Sequence, residues 1–352
     1  MSSDIRYPFD TPPAEGEGIE VAPGVIWLRL PLPMALDHVN IYALDDGDGW
    51  TLIDTGMDTR RTRAICEGWL DAAQNGPLAH KPVTRVVLTH YHPDHVGLAG
   101  WWQARGAELW ATRTSWLFAR MLVLDPQDRP TPETLAFWRA AGMDPELLAR
   151  RAEERPFNFA DCVHPMPLGY TRLSEGDALR MAGRDWDVVF GHGHAPDHAV
   201  FFSRDDNLVI GGDQLLPGIS ANLGVYATEP GADPVGDWLE SCARLAHRAR
   251  ADHLVLPGHR LPFTGLPLRL RQMQDNHLNA LDRLAAKLRT PGTAASGFSA
   301  LFKRPIGEGE YGLALVEAVG HINRLAIEGR IHAVGQDAQG ATLWQAVDGA
   351  AR

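Results

Sequence analysis

The chain has 352 residues, 45% of them hydrophobic and 22% charged, ordinary values for a globular protein with more than one compact core. Its formal net charge of −11 argues against a general nucleic-acid binder, since neutralising phosphates takes a basic face. Cys66, Cys162 and Cys242 lie far apart, the N-terminus shows no basic-then-apolar leader, and no apolar run nears the ~18 residues of a membrane span, so a reducing cytoplasm is the expected setting.

Residues 1–18, rich in Pro, Glu and Gly, read as an irregular arm. Short β-type runs follow at 25–30, 39–44 and 50–54, the last two joined by the turn "DDGDG". A helix is expected over 58–73, a buried strand over 83–90, helical spacing over 96–105 and a strand over 107–111. "TSWLFARMLVL", "TPETLAFWRAAG" and "DPELLARRAEER" read as three short helices, which makes 113–160 a helical insertion into a mixed sheet. β-type sequence resumes at 186–190, 198–203, 207–213 and 253–259, with a helix over about 234–249. Beyond 266, a long helix (267–289), a Pro/Gly/Ala/Ser linker, a second helix (310–330) and a hairpin (331–346) suggest a small winged-helix module. The expected partition is an arm (1–18), a main domain (19–265) and a C-terminal module (266–352).

The stretch "THYHPDH" (89–95) gathers three imidazoles and a carboxylate where a strand runs into a helix. Neutral imidazoles and carboxylates are good ligands for zinc and similar ions. His90 and His92, at i and i+2, can reach one metal; Asp94 and His95, turned by the helix start, can reach a second. Three later stretches supply further donors, each after a β-type run: His194 in "GHGHAPDH", Asp213 in "VIGGDQLL" and His259 in "LPGHRLP". Asp54 in "TLIDTG" also ends a strand. A lone histidine at a strand end is ordinarily packed or solvated, and His38, His164, His247, His277 and His321 read that way.

With these motifs in order, the sequence resembles the metallo-β-lactamase-fold hydrolases over roughly residues 20–265. The resemblance implies an α/β fold, a four-layer αβ/βα sandwich, with two divalent metal ions at one edge. By position, it gives His90, His92 and His194 to one ion, Asp94, His95 and His259 to the other, and Asp213 to both. Asp54 and His198 are expected to orient ligands. Zinc is the first expectation, with iron or manganese also suited to such donors. The C-terminal part resembles the winged helix appended to a subgroup that includes an endoribonuclease and thioesterases.

The implied chemistry is hydrolysis by a hydroxide bridging the metals, with Asp94 handling the proton. A carboxylic ester-type bond, thioester or lactone, is expected ahead of a phosphodiester. Residues 1–267 carry a net −13 and 268–352 a net +2, so the main domain repels a polyanion. The insertion offers Trp116, Leu117, Phe118, Met121, Leu122, Phe137, Trp138, Leu147 and Leu148, a lid for an acyl chain or the contact of a homodimer. Tyr226 is a candidate donor to the substrate carbonyl. The competing readings are a phosphodiesterase or endoribonuclease of the same fold and a non-catalytic interaction protein. The helix Tyr311–Arg330 pairs Arg324 and Arg330 with Glu317 and Glu328 and sets Leu313, Val316, Val319, Ile322 and Leu325 on one face. That predicts a packing element rather than a DNA reader.

Overall fold

The computed structural model describes residues 4–302 and 304–347; residues 1–3 of the expected arm, and 303 and 348–352 of the expected C-terminal module, lie outside the described residues. The chain divides into two compact units: Met1–Pro126 with Phe157–Ser220 and Arg248–Arg269, and Gln127–Pro156 with Ala221–His247 and Leu270–Arg352.

In the first unit, β1 (Ile19–Ala22), β2 (Val25–Pro31), β3 (His38–Asp45) and β4 (Trp50–Ile53) pair antiparallel in that order. After α1 (Arg60–Leu70), β5 (Val83–Val87) joins parallel to β4. Two short helices, α2 (Pro93–Val96) and α3 (Ala99–Gln103), precede β6 (Glu108–Thr112). Then come α4 (Arg113–Leu124), α5 (Pro132–Ala140) and α6 (Pro145–Glu153), and β7 (Thr171–Leu173) closes a seven-stranded sheet whose order follows the chain. A second sheet holds β8 (Ala178–Met181), β9 (Arg184–Gly191), β10 (His198–Ser203) and β11 (Leu208–Gly212); after α7 (Pro234–Ala246), β12 (Leu254–Pro257) pairs parallel to β11.

Every residue of β3 from His38 to Leu44 is buried, the mark of a strand covered on both faces. One face carries Trp27, Tyr42, Leu44 and Val87, packed with Trp186, Val188, Phe201 and Ile210 of the second sheet. The other carries Leu28, Ile41, Leu52 and Val86, covered by Trp69 of α1, Trp101 and Trp102 of α3 and Ala119 of α4. A helix layer and two face-to-face sheets follow from this division of side chains, and α4 starts where the Thr112 side chain accepts the Ser115 N–H.

The second unit contains α5, α6, α7, the part of α8 (Leu266–Lys287) from residue 270 on, α9 (Phe298–Leu301), α10 (Tyr311–Ile327) and the hairpin of β13 (Ile331–Gln336) with β14 (Thr342–Ala346). α5, α6 and α7 each begin with a capping Thr or Asp followed by Pro, the residue whose missing N–H costs nothing at a helix start. In α10, Val316, Val319, Ile322 and Leu325 are buried and Arg324 pairs with Asp233 (3.0 Å) and Glu328 (2.9 Å); just past its end, Arg330 pairs with Asp282 (2.6 Å).

Three expectations need correction, and one strand goes beyond them. The helix over 96–105 is interrupted at Gly97–Leu98 because tertiary partners take its backbone: Thr55 N–H donates to the His95 carbonyl (2.8 Å) and Leu98 N–H to Thr55 Oγ1 (3.0 Å). The segment 113–160 is not one insertion, since α4 packs on the core of the first unit while α5 and α6 belong to the second. Leu313 is 57% exposed and leaves the packing face expected of it. Residues 178–181, "ALRM", form a strand with no β-type pattern of its own. Pairing with β9 overrides a helix-favouring composition.

Candidate metal centre

The donors stand at the carboxyl ends of strands. Asp54 follows β4, the stretch 89–95 follows β5, His194 follows β9, Asp213 follows β11 and His259 follows β12. β4 and β5 are parallel neighbours, as are β11 and β12, so their ends converge from both sheets.

His92 Nδ1 stands 3.0 Å from His90 Nε2 and 2.9 Å from His194 Nε2. Three ring nitrogens at these separations cannot all be joined by hydrogen bonds unless most carry protons. Burial and the neighbouring imidazoles hold His90 and His92 well below the usual imidazole range, hence neutral. A single ion bound at about 2.0–2.1 Å by each nitrogen gives edges of about 3.3 Å, close to what is seen.

The second group is acidic. His259 Nε2 lies 3.3 Å from Asp94 Oδ2 and 3.2 Å from Asp213 Oδ2. His95 Nε2 lies 3.5 Å from both Asp94 Oδ2 and Asp213 Oδ1. Asp213 Oδ2 is also 3.5 Å from His194 Nε2, so this carboxylate reaches both groups. His95 Nε2 and Asp213 Oδ1 are buried and make no hydrogen bond. Burial would lower His95 and His259, but Asp213 and Asp94 outweigh it; His95 is held well above its usual value and His259 at about 10. The field that holds protons there suits a cation equally well.

Surrounding groups set which ring nitrogen faces inward. Thr89 N–H and Oγ1–H donate to Asp54 (2.8 and 2.7 Å), and His90 Nδ1–H donates to Thr89 Oγ1 (3.0 Å). His95 Nδ1–H donates to Asp54 Oδ2 (2.8 Å) and His259 Nδ1–H to the His38 carbonyl (2.7 Å). Each of these rings thus turns an Nε2 lone pair towards the centre. Asp54 itself adopts a left-handed conformation (φ 61°), which Asp tolerates better than most residues.

His198 is fully buried, and its Nε2 accepts the Asp213 N–H (3.1 Å), so it positions the backbone of Asp213. His192 is partly exposed, and its Nδ1 accepts the Asp197 N–H (3.2 Å). The sequence reading missed His38. Its carbonyl orients His259, and its own Nε2 accepts the Arg260 N–H (2.9 Å). A backbone carbonyl leaves no sequence signal. Tyr226 belongs to the second unit and is 44% exposed; it is not among the seven donors that the first unit assembles.

Residues 34–259 match the sequence model of the Metallo-beta-lactamase superfamily. The chain belongs to that superfamily. This metallo-beta-lactamase-fold chain is a metallo-hydrolase of the superfamily, whose members generally bind divalent metals. It is 28% identical over 316 residues to the probable metallo-hydrolase YqjP of Bacillus subtilis, covering 86% of this chain and 92% of that one. A beta-lactamase domain protein from Burkholderia ambifaria superimposes with a TM-score of 0.85 at 34% identity, over 97% of both chains. The metallo-beta-lactamase family protein TTHA1429 from Thermus thermophilus gives 0.75 at 28% identity, over 93% of this chain and all of its own. Among the described residues, no helix is long and apolar enough to cross a membrane.

Proposed function

We propose that the protein hydrolyses a carboxylic ester-type bond, a thioester or lactone, in a small-molecule substrate with two divalent ions, zinc first. The observation that carries this reading is the position of Asp213, which reaches His194 on one side and His95 and His259 on the other. His90, His92 and His194 would hold one ion, Asp94, His95 and His259 the other, and Asp213 both. When bound, such ions supply a water-derived nucleophile at neutral pH and polarise the scissile carbonyl. Asp94, whose side chain keeps 16% of its surface exposed, takes the proton released as the attacking water forms its bond to carbon. As the carbon–sulfur or carbon–oxygen bond breaks, Asp94 returns that proton to the leaving thiolate or alkoxide.

The choice of an acyl substrate rests on what lines the first group. The Tyr91 ring lies 4.6 Å from that of His92, 5.1 Å from Phe118 of α4 and 6.2 Å from Phe159, which in turn meets the exposed Phe157 at 6.0 Å. An apolar wall leading from a metal ligand to the surface favours an acyl chain or ring, at roughly 25 cal/mol per Å² of apolar surface removed from water. The acidic 1–267 segment disfavours polyanions. In the second unit, the ion pairs of Arg324 in α10 and of Arg330 just beyond it support a packing role for the winged-helix-like segment over DNA reading.

The deciding assay compares acyl thioesters, lactones, a β-lactam, bis(p-nitrophenyl) phosphate and RNA on one zinc-loaded preparation. The highest kcat/KM on a thioester or lactone is expected; a phosphodiester or RNA ranking first would replace this reading with that of a nuclease.

A further inference from the structure

The second unit contains another cluster of metal-capable side chains, made of none of the seven donors above. His277 of α8 and Glu317 and His321 of α10 each offer a ligand atom, and these atoms all lie within 4.8 Å of one another. Glu317 and His321 are four residues apart, so they share one face of α10. His321 Nδ1–H donates to the Glu317 carbonyl (2.9 Å), which leaves Nε2 as a lone pair. His277 Nδ1 stands 3.3 Å from that Nε2. This is the edge of a tetrahedron whose nitrogens sit about 2.0–2.1 Å from a central ion. The Glu317 carboxylate is oriented by the Asn222 amide, which donates to Oε2 at 2.9 Å.

The setting makes the cluster expensive without a cation. Both imidazoles are 1% exposed, and α10 around them is apolar, with Ala314, Leu315, Val316, Ala318, Val319 and Ile322 buried. The two imidazoles in such a seam forfeit their hydration, and their hydrogen bonds return only part of it, His277 Nε2 being buried with no partner. Burial keeps His277 (about 3) and His321 (about 4) in the neutral form that binds metal.

We propose that His277, Glu317 and His321 form a divalent-cation site that ties α8 to α10. Two imidazoles and one carboxylate suit zinc and leave one tetrahedral position for water or a further ligand. The site is independent of the hydrolytic reading, because it shares no residue with it.

The test uses the full chain. Crystals soaked in zinc should show an anomalous peak among His277, Glu317 and His321, besides any at His90, His92 and His194. In solution, Glu317→Gln, which preserves side-chain shape and the Asn222 contact, should hold one zinc fewer per chain than the wild type at equal free zinc. In a His90→Ala background, zinc should raise Tm by several degrees, and adding Glu317→Gln should reduce that rise. An anomalous map with peaks only at the first unit's histidines, or a folded Glu317→Gln protein with wild-type zinc content, would overturn the proposal.

Discussion

Asp54 and His95 meet 2.8 Å apart, carboxylate to Nδ1, directly behind the loop that ends β5. The contact decides which nitrogen of His95 carries its proton. In Asp54→Asn, the side-chain amide would offer an N–H to Nδ1, so the ring proton moves to Nε2 and blocks the lone pair. Asn also tolerates the left-handed backbone at this position, so the fold should persist. Metal affinity of the second group should fall about 10–100-fold. A competition titration against a zinc chelator, with Tm as the control for folding, measures it.

Gly258 approaches the centre so closely that a Cβ there would lie 2.3 Å from Asp213 Oδ1 and 2.8 Å from His95 Cε1. The easier atom to move is the carboxylate, not the backbone. Gly258→Ala should therefore fold but displace Asp213, and a shift near 1 Å at a reacting centre costs about 100-fold in rate. Wild-type kcat/KM in this variant would contradict the placement of Asp213 between the two groups.

Phe118 tests the acyl wall. It packs against Tyr91, whose ring touches His92, and it is only partly buried. Phe118→Ala should raise KM for long acyl chains by several-fold while short-chain KM and kcat change little. Equal effects on both chain lengths would point to a general loosening of α4.

His253, which is not one of the seven donors, gives a pH signature of its own. It is 3% exposed, its Nδ1 accepts the Arg250 N–H (3.2 Å), and burial, aided by the Arg250 charge, lowers it to about 4. Above the usual value of 6.5, the ring is neutral in both folded and unfolded chains and pH has no effect through it. Between 6.5 and about 4, only the unfolded chain takes up the proton, so stability falls with pH. His253→Asn should remove this dependence. The difference in unfolding free energy between the two proteins should change by about 1.4 kcal/mol per pH unit in that window. Urea titrations in chelator at several pH values provide the comparison.

Much of this is legible in the residues alone. The prolines after Thr131, Asp144 and Asp233 mark helix starts that the structure places at the next residue. The runs ending at Asp54, Thr89, Asp213 and His259 read as strands with donors at their ends, because period and turn residues are local properties. The strand at 178–181 and the break at Gly97–Leu98 were not legible, since each depends on a partner distant in sequence.

The sequence by itself determined the order and chemical type of the donors, the acidity of the main segment and the apolar character of α4. These depend on residue identity and short spacings. Only the tertiary structure decided that Asp213 reaches both histidine groups, that a carbonyl of His38 sets the tautomer of His259, and that α4 separates from α5 and α6. It also brought His277 beside His321, two residues that read singly as packed histidines. The physical reason is the same in each case: hydrogen bonds and ligand sets act over about 3 Å of space, and the fold brings together atoms that short spacings along the chain do not.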